Sequence, residues 1–87
     1  MAERFQAHPN VTVTFDHLRT VCTRRGWSVR MNIFDCGHYV AVYDSVGTQI
    51  VSKTWLCDED NMRDGASQCA IWLIERGKLT LAEFDVP

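Results

Sequence analysis

Residues 27–55 constrain the fold more than any other stretch, because over this span the hydrophobic period is two and glycine twice interrupts it. Val29, Met31 and Ile33 alternate with Arg30, Asn32 and Phe34, so one set faces a core and the other faces away. Cys36-Gly37 is expected to form a two-residue hairpin loop, with residues 38–43 returning antiparallel. Ser45-Val46-Gly47 fits a three-residue loop with glycine in the left-handed position, and residues 48–55 then form a third strand. With Asp35 facing His38, Ile33 lies opposite Val40 and Met31 opposite Val42. On the other face Phe34 meets Tyr39 and Arg30 meets Tyr43. The second loop sets Ile50 beside Val42 in the core and Lys53 beside Tyr39 on the outer face. A bulge would change those last assignments.

The flanking segments carry the helical period. Phe15, Leu18, Val21 and Cys22 recur at spacings of three and four, which predicts a helix over residues 15–25. Thr14 is its N-cap, Asp16 favours the positive end of the dipole, and Gly26 stops it. Ala66, Cys69, Ala70, Leu73 and Trp72 mark a second helix over residues 65–76, capped by Asn61 or Asp64 and ended by Gly77. Val11 and Val13 suggest a short edge strand, and Leu79, Leu81 and Phe84 a short strand or extended segment that packs back. Residues 1–10 lack periodicity and read as a flexible or loosely docked tail. The result is one two-layer α+β domain, a helix, three antiparallel strands and a helix, with both helices on the aliphatic face.

At 87 residues the chain has room for one core. No apolar run approaches the ~20 residues that span a bilayer, and the first ten residues lack the apolar core of a secretory signal, so a cytoplasmic location is the expectation. Cysteines 22, 36, 57 and 69 are accordingly expected as free thiols. Net charge is −2; residues 1–43 carry five basic against three acidic side chains, and residues 44–87 carry four against eight. That balance does not supply the basic field of a dedicated nucleic-acid binder.

The element order resembles the double-stranded RNA-binding domain, and Gly37-His38 falls in the first hairpin, where that family carries a Gly-Pro-x-His loop. The proline is absent here. Asn61-Met62-Arg63-Asp64-Gly65 replaces the lysine cluster that opens the family's second helix and grips phosphate. An acidic entrance repels that backbone, so the resemblance implies architecture rather than RNA binding.

Other chemistries are weaker on the residues. Cys36, His38 and Cys57 gather three zinc-ligand types near one end of the sheet, but without paired Cys-x-x-Cys spacing or a fourth ligand. Cys36 with His38 as base lacks an orienting acceptor, and so small a two-layer fold leaves little room for an enclosed pocket. No cofactor, metal or catalytic residue is therefore expected. Two surfaces remain as partner-binding candidates: the outer sheet face with Arg30, Phe34, Tyr39, Tyr43 and Lys53, and the acidic connection with Asp58, Glu59 and Asp60.

In size, mild acidity and lack of a catalytic motif, the whole chain resembles the small accessory proteins of phages and mobile elements, including anti-CRISPR inhibitors. That resemblance implies a non-enzymatic, protein-binding inhibitor that occludes a surface of a bacterial defence complex in the host cytoplasm. A nucleic-acid-binding regulator using the same face is the alternative, and a homodimer formed through the sheet face is a third expectation.

Overall fold

The computed structural model describes residues 13–56 and 64–84. The expected tail at 1–10, the strand residue Val11, Cys57, and the acidic residues Asp58, Glu59 and Asp60 lie outside them. The described elements are α1 (Phe15–Arg24), β1 (Ser28–Phe34), β2 (Gly37–Tyr43), β3 (Gln49–Leu56), α2 (Gly65–Glu75) and a 3₁₀ turn (Leu81–Phe84). This is the expected α+β order, with one antiparallel sheet in the order β1-β2-β3.

Both helices begin on side-chain caps. Thr14 accepts a hydrogen bond from the His17 amide at 3.1 Å, and Asp64, one of the two expected caps, accepts one from the Ser67 amide at 3.0 Å. Both end in paired bonds that reach back into the last turn, Gly26 to Thr23 with Trp27 to Cys22, and Gly77 to Ile74 with Lys78 to Leu73. These caps satisfy groups that a helix end would otherwise leave open.

Leu18, Val21 and Cys22 from α1 and Ala66, Cys69, Ala70 and Leu73 from α2 are buried against Val29, Val40, Val42 and Val51 of the sheet. The helices therefore share one face. Of the residues expected in this core, Met31 and Ile33 are instead exposed, at 38% and 77%, because β1 runs on past the helical layer.

Two shifts of register separate the sheet from the sequence reading. The first hairpin turns at Asp35-Cys36, one position earlier than expected, so Ile33 pairs with His38, Met31 with Val40 and Arg30 with Ala41. Moving a two-residue loop by one position moves the pairing by two, which preserves the faces. The shift sets Val29 opposite Val42 and buries it. It also seats Gly37 opposite Leu56, where a side chain would collide with the Trp55 carbonyl.

The second shift reverses faces. Ser45-Val46-Gly47 forms the expected loop, with Gly47 at φ 89° and the Asp44 carboxylate accepting from the Val46 and Thr48 amides. Tyr43 pairs with Gln49, but Val42 then pairs with Val51, leaving Ile50 as the extra residue of a β-bulge. Beyond it, Val51, Lys53 and Trp55 turn toward the helices, and Ser52 and Thr54 turn outward. Lys53 thus opposes Val40 and not Tyr39, and Val51 replaces Ile50 as the buried partner of Val42. Without the bulge, Ser52 and Thr54 would face the core and Val51 and Trp55 would face water. The exchange of apolar for polar burial favours the bulged register.

The ends of the described chain both belong to the helical layer. Val13 is not a strand residue; its amide donates to Ser67 Oγ at 2.9 Å and its carbonyl accepts from the same hydroxyl at 3.1 Å. At the other end Leu79 and Phe84 are buried, with the Phe84 ring edge-on to His17 at 5.5 Å. They pack back as expected, but through a 3₁₀ turn rather than a strand, and Leu81 remains exposed. Arg25 at the end of α1 holds that turn through Glu83, with Nη2 to Oε1 at 2.8 Å, while Glu83 Oε2 accepts from the Thr80 amide.

Candidate functional site

Alternation along the three strands gives the outer sheet face its composition. β1 contributes Ser28, Arg30, Asn32 and Phe34, β2 contributes Tyr39, Ala41 and Tyr43, and β3 contributes Gln49, Ser52, Thr54 and Leu56. No described helix packs on this side. Arg30 is the only charged side chain among these eleven.

Arg30, Met31, Asn32, Tyr39 and Tyr43 line an open depression of about 470 Å³ on this face. The guanidinium of Arg30 lies 5.8 Å from the Tyr43 ring centroid. It reaches that ring diagonally from its position opposite Ala41, a contact worth about 0.5–1 kcal/mol at an exposed site. Tyr39 donates its hydroxyl to Gln49 Oε1 at 3.3 Å, which fixes one wall. Half-buried tyrosines with one arginine present rigid apolar area with polar edges, the combination that anchors protein interfaces.

Three of the expected face residues, Arg30, Tyr39 and Tyr43, thus come together. Phe34 shares the face and is 41% exposed, but it sits at the hairpin end outside the depression. Lys53 does not belong to the face: it lies on the helical side, beside Gln68, Ile71, Trp72 and Glu75. Asn32 was legible from its alternation with Arg30 and Phe34. Gln49 keeps its place beside Tyr43 in either register, but Ser52 and Thr54 were not legible, because only the bulge turns them outward.

His38 also lies on the helical side. Its Nε2 accepts from the Gly65 amide at 2.9 Å, and its ring stacks on Trp55 at 5.4 Å. Glycine at 65 allows this close approach, since a Cβ would sit 3.0 Å from Val40 Cγ2 and 3.1 Å from the imidazole and would press on both side chains. A histidine bound in this way tethers the first turn of α2 to the sheet and is turned away from the outer face. Cys36, two residues earlier, is exposed in the turn. Among the described residues no three His, Cys, Asp or Glu side chains gather to hold a metal ion.

Cys22, Cys36 and Cys69 are free thiols. Burial pushes Cys22 up to about 12, reinforced by the Glu83 carboxylate, and burial likewise pushes Cys69 up to about 12. Both behave as small core hydrophobes, with Cys69 Sγ donating to the Val40 carbonyl at 3.7 Å. No described helix is long and apolar enough to cross a membrane.

Comparison with protein-family models, with curated proteins and with solved structures finds no match for this chain.

Proposed function

We propose that the protein is a non-enzymatic binding domain that docks on a protein partner through the outer sheet face and acts by occluding the partner's surface, as small anti-CRISPR inhibitors do. The observation that carries this reading is the open depression between Arg30, Asn32, Tyr39 and Tyr43 on a face that neither helix covers. A face with one cation among eleven side chains favours a protein over a polyphosphate backbone, because Lys53 is turned to the other layer. His38, tied to Gly65, is likewise withdrawn from any groove contact.

The test is relief of CRISPR interference in cells expressing the chain, together with nuclease-insensitive binding to the purified effector complex. Tyr39→Ala with Tyr43→Ala should abolish both while the melting transition stays cooperative. Retention of binding in that variant would remove the face from the argument. A salt-sensitive shift with DNA or RNA at near-physiological ionic strength, without protein binding, would favour the nucleic-acid regulator instead.

A further inference from the structure

The two edges of the sheet differ in how they are protected. β3 carries the bulge at Ile50 and turns Lys53 inward beneath the helical layer, two devices that discourage another strand from pairing. β1 has neither. Its seven residues pair with β2 without a break, contain no proline or bulge, and bear a single charge, Arg30, on the outer face. Met31, Ile33 and Phe34 are exposed along it. A long, regular, apolar edge of this kind is a template for one more strand.

We infer that β1 pairs antiparallel with β1 of a second copy about a dyad at Met31, making a continuous six-stranded sheet. The strand is complementary to itself in that register. Val29 meets Ile33 of the second copy, Met31 meets Met31, and Arg30 meets the neutral amide of Asn32. A dyad at Arg30 would oppose two guanidinium groups, and one at Asn32 would set the buried Val29 against Asp35. The bond phase agrees. Phe34 and Gly37 flank a two-residue hairpin and form a bonded pair, so alternation turns the amides of Val29, Met31 and Ile33 away from β2. Those groups meet their counterparts across the dyad in about six hydrogen bonds. The exposed side chains of Met31 and Ile33 then cover one another on the helical side.

The pairing stands apart from the choice of partner above, although it brings the two depressions side by side across the new ladder. Sedimentation equilibrium of the full chain should show the 10.0 kDa species passing to twice that mass as concentration rises. Asn32→Asp adds two opposite-charge cross-strand pairs and should tighten the dimer about fivefold, while Asn32→Arg should weaken it about as much. Arg30→Asp combined with Asn32→Arg should restore it. Ile33→Lys, at a position 77% exposed, should give a monomer that melts where the dilute, monomeric wild type melts. Tyr39→Ala with Tyr43→Ala should leave the dimer intact. A 10.0 kDa species at every concentration would overturn the inference. A dimer indifferent to the charges at position 32, or lost with the tyrosines, would do the same.

Discussion

Ser67 is the sole buried polar side chain among the described residues, at 1% exposure, and its hydroxyl serves both the amide and the carbonyl of Val13. Ser67→Ala removes one atom and orphans two backbone groups in a site that is almost dry, since Val13 itself is 2% exposed. A buried group left without its partner costs about 1–3 kcal/mol. The carbonyl keeps a second lone pair and the space vacated is that of one oxygen, so the expected total is about 2 kcal/mol. In a chain of this length that lowers the melting temperature by about 10 °C. The urea midpoint should fall by about 2 M with an unchanged slope near 1 kcal/mol/M. Hydrogen exchange at the Val13 amide should quicken beyond what the global loss predicts, because the tether fails locally first. A loss below about 0.5 kcal/mol, with Val13 exchange unchanged, would refute the reasoning, since it would mean that the two groups find other partners at no cost.

Native protein treated with iodoacetamide at neutral pH should be alkylated at Cys36 and spared at Cys22 and Cys69, as read by peptide mass mapping; equal rates at the three sites would contradict their burial. The same raised thiols should make stability decline as pH rises from the ordinary 9.0 toward about 12, where an unfolded chain ionises and the folded one resists. At the acid end, burial opposes ionisation of Glu83, but the Thr80 amide and the Arg25 guanidinium prevail and hold its carboxyl below the ordinary 4.5. Its contribution is therefore present above pH 4.5 and lost as pH falls through the lower folded value. Glu83→Gln should cost about 0.5 kcal/mol at neutral pH for so exposed a pair, and nothing below that folded value; a pH-independent difference between the two chemical melts would show that the charge is idle.

The helices were legible because each signal was local. Thr14 reads as a cap, Asp64 as one of two candidates with Asn61, and Gly26 and Gly77 as stops, from chemistry confined to one turn. The Ser45-Val46-Gly47 loop and the face of Arg30, Tyr39 and Tyr43 were legible for the same reason, since turn chemistry and alternation are read from neighbour to neighbour. The first hairpin slipped by one position because Gly37 was read as a turn residue. It is needed for its close approach to the Trp55 carbonyl, a contact between residues eighteen apart. Lys53 was misplaced for a related reason: a bulge inserts one residue without a required side-chain type, and its advantage arises from the burial of Val51 under helices far along the chain. Ser67 and the His38–Gly65 tether were invisible, as each depends on a backbone group that sequence periodicity does not record.

The bulge at Ile50 also makes register a determinant of surface identity. A slip that pairs Ile50 with Val42 in place of Val51 would leave every side chain of β3 chemically unaltered, yet would bring Lys53 and Trp55 to the outer face and send Ser52 and Thr54 beneath the helices. Such a slip would add a second cation and a large ring beside Tyr39 in a single step. Loss of Ile50 itself would leave the faces as they are, because Gln49 and Val51 would then follow one another in a regular ladder. Substitutions change this face one side chain at a time, whereas one change of pairing at Ile50 exchanges most of what β3 contributes to it, so the same residues could present a different binding chemistry there.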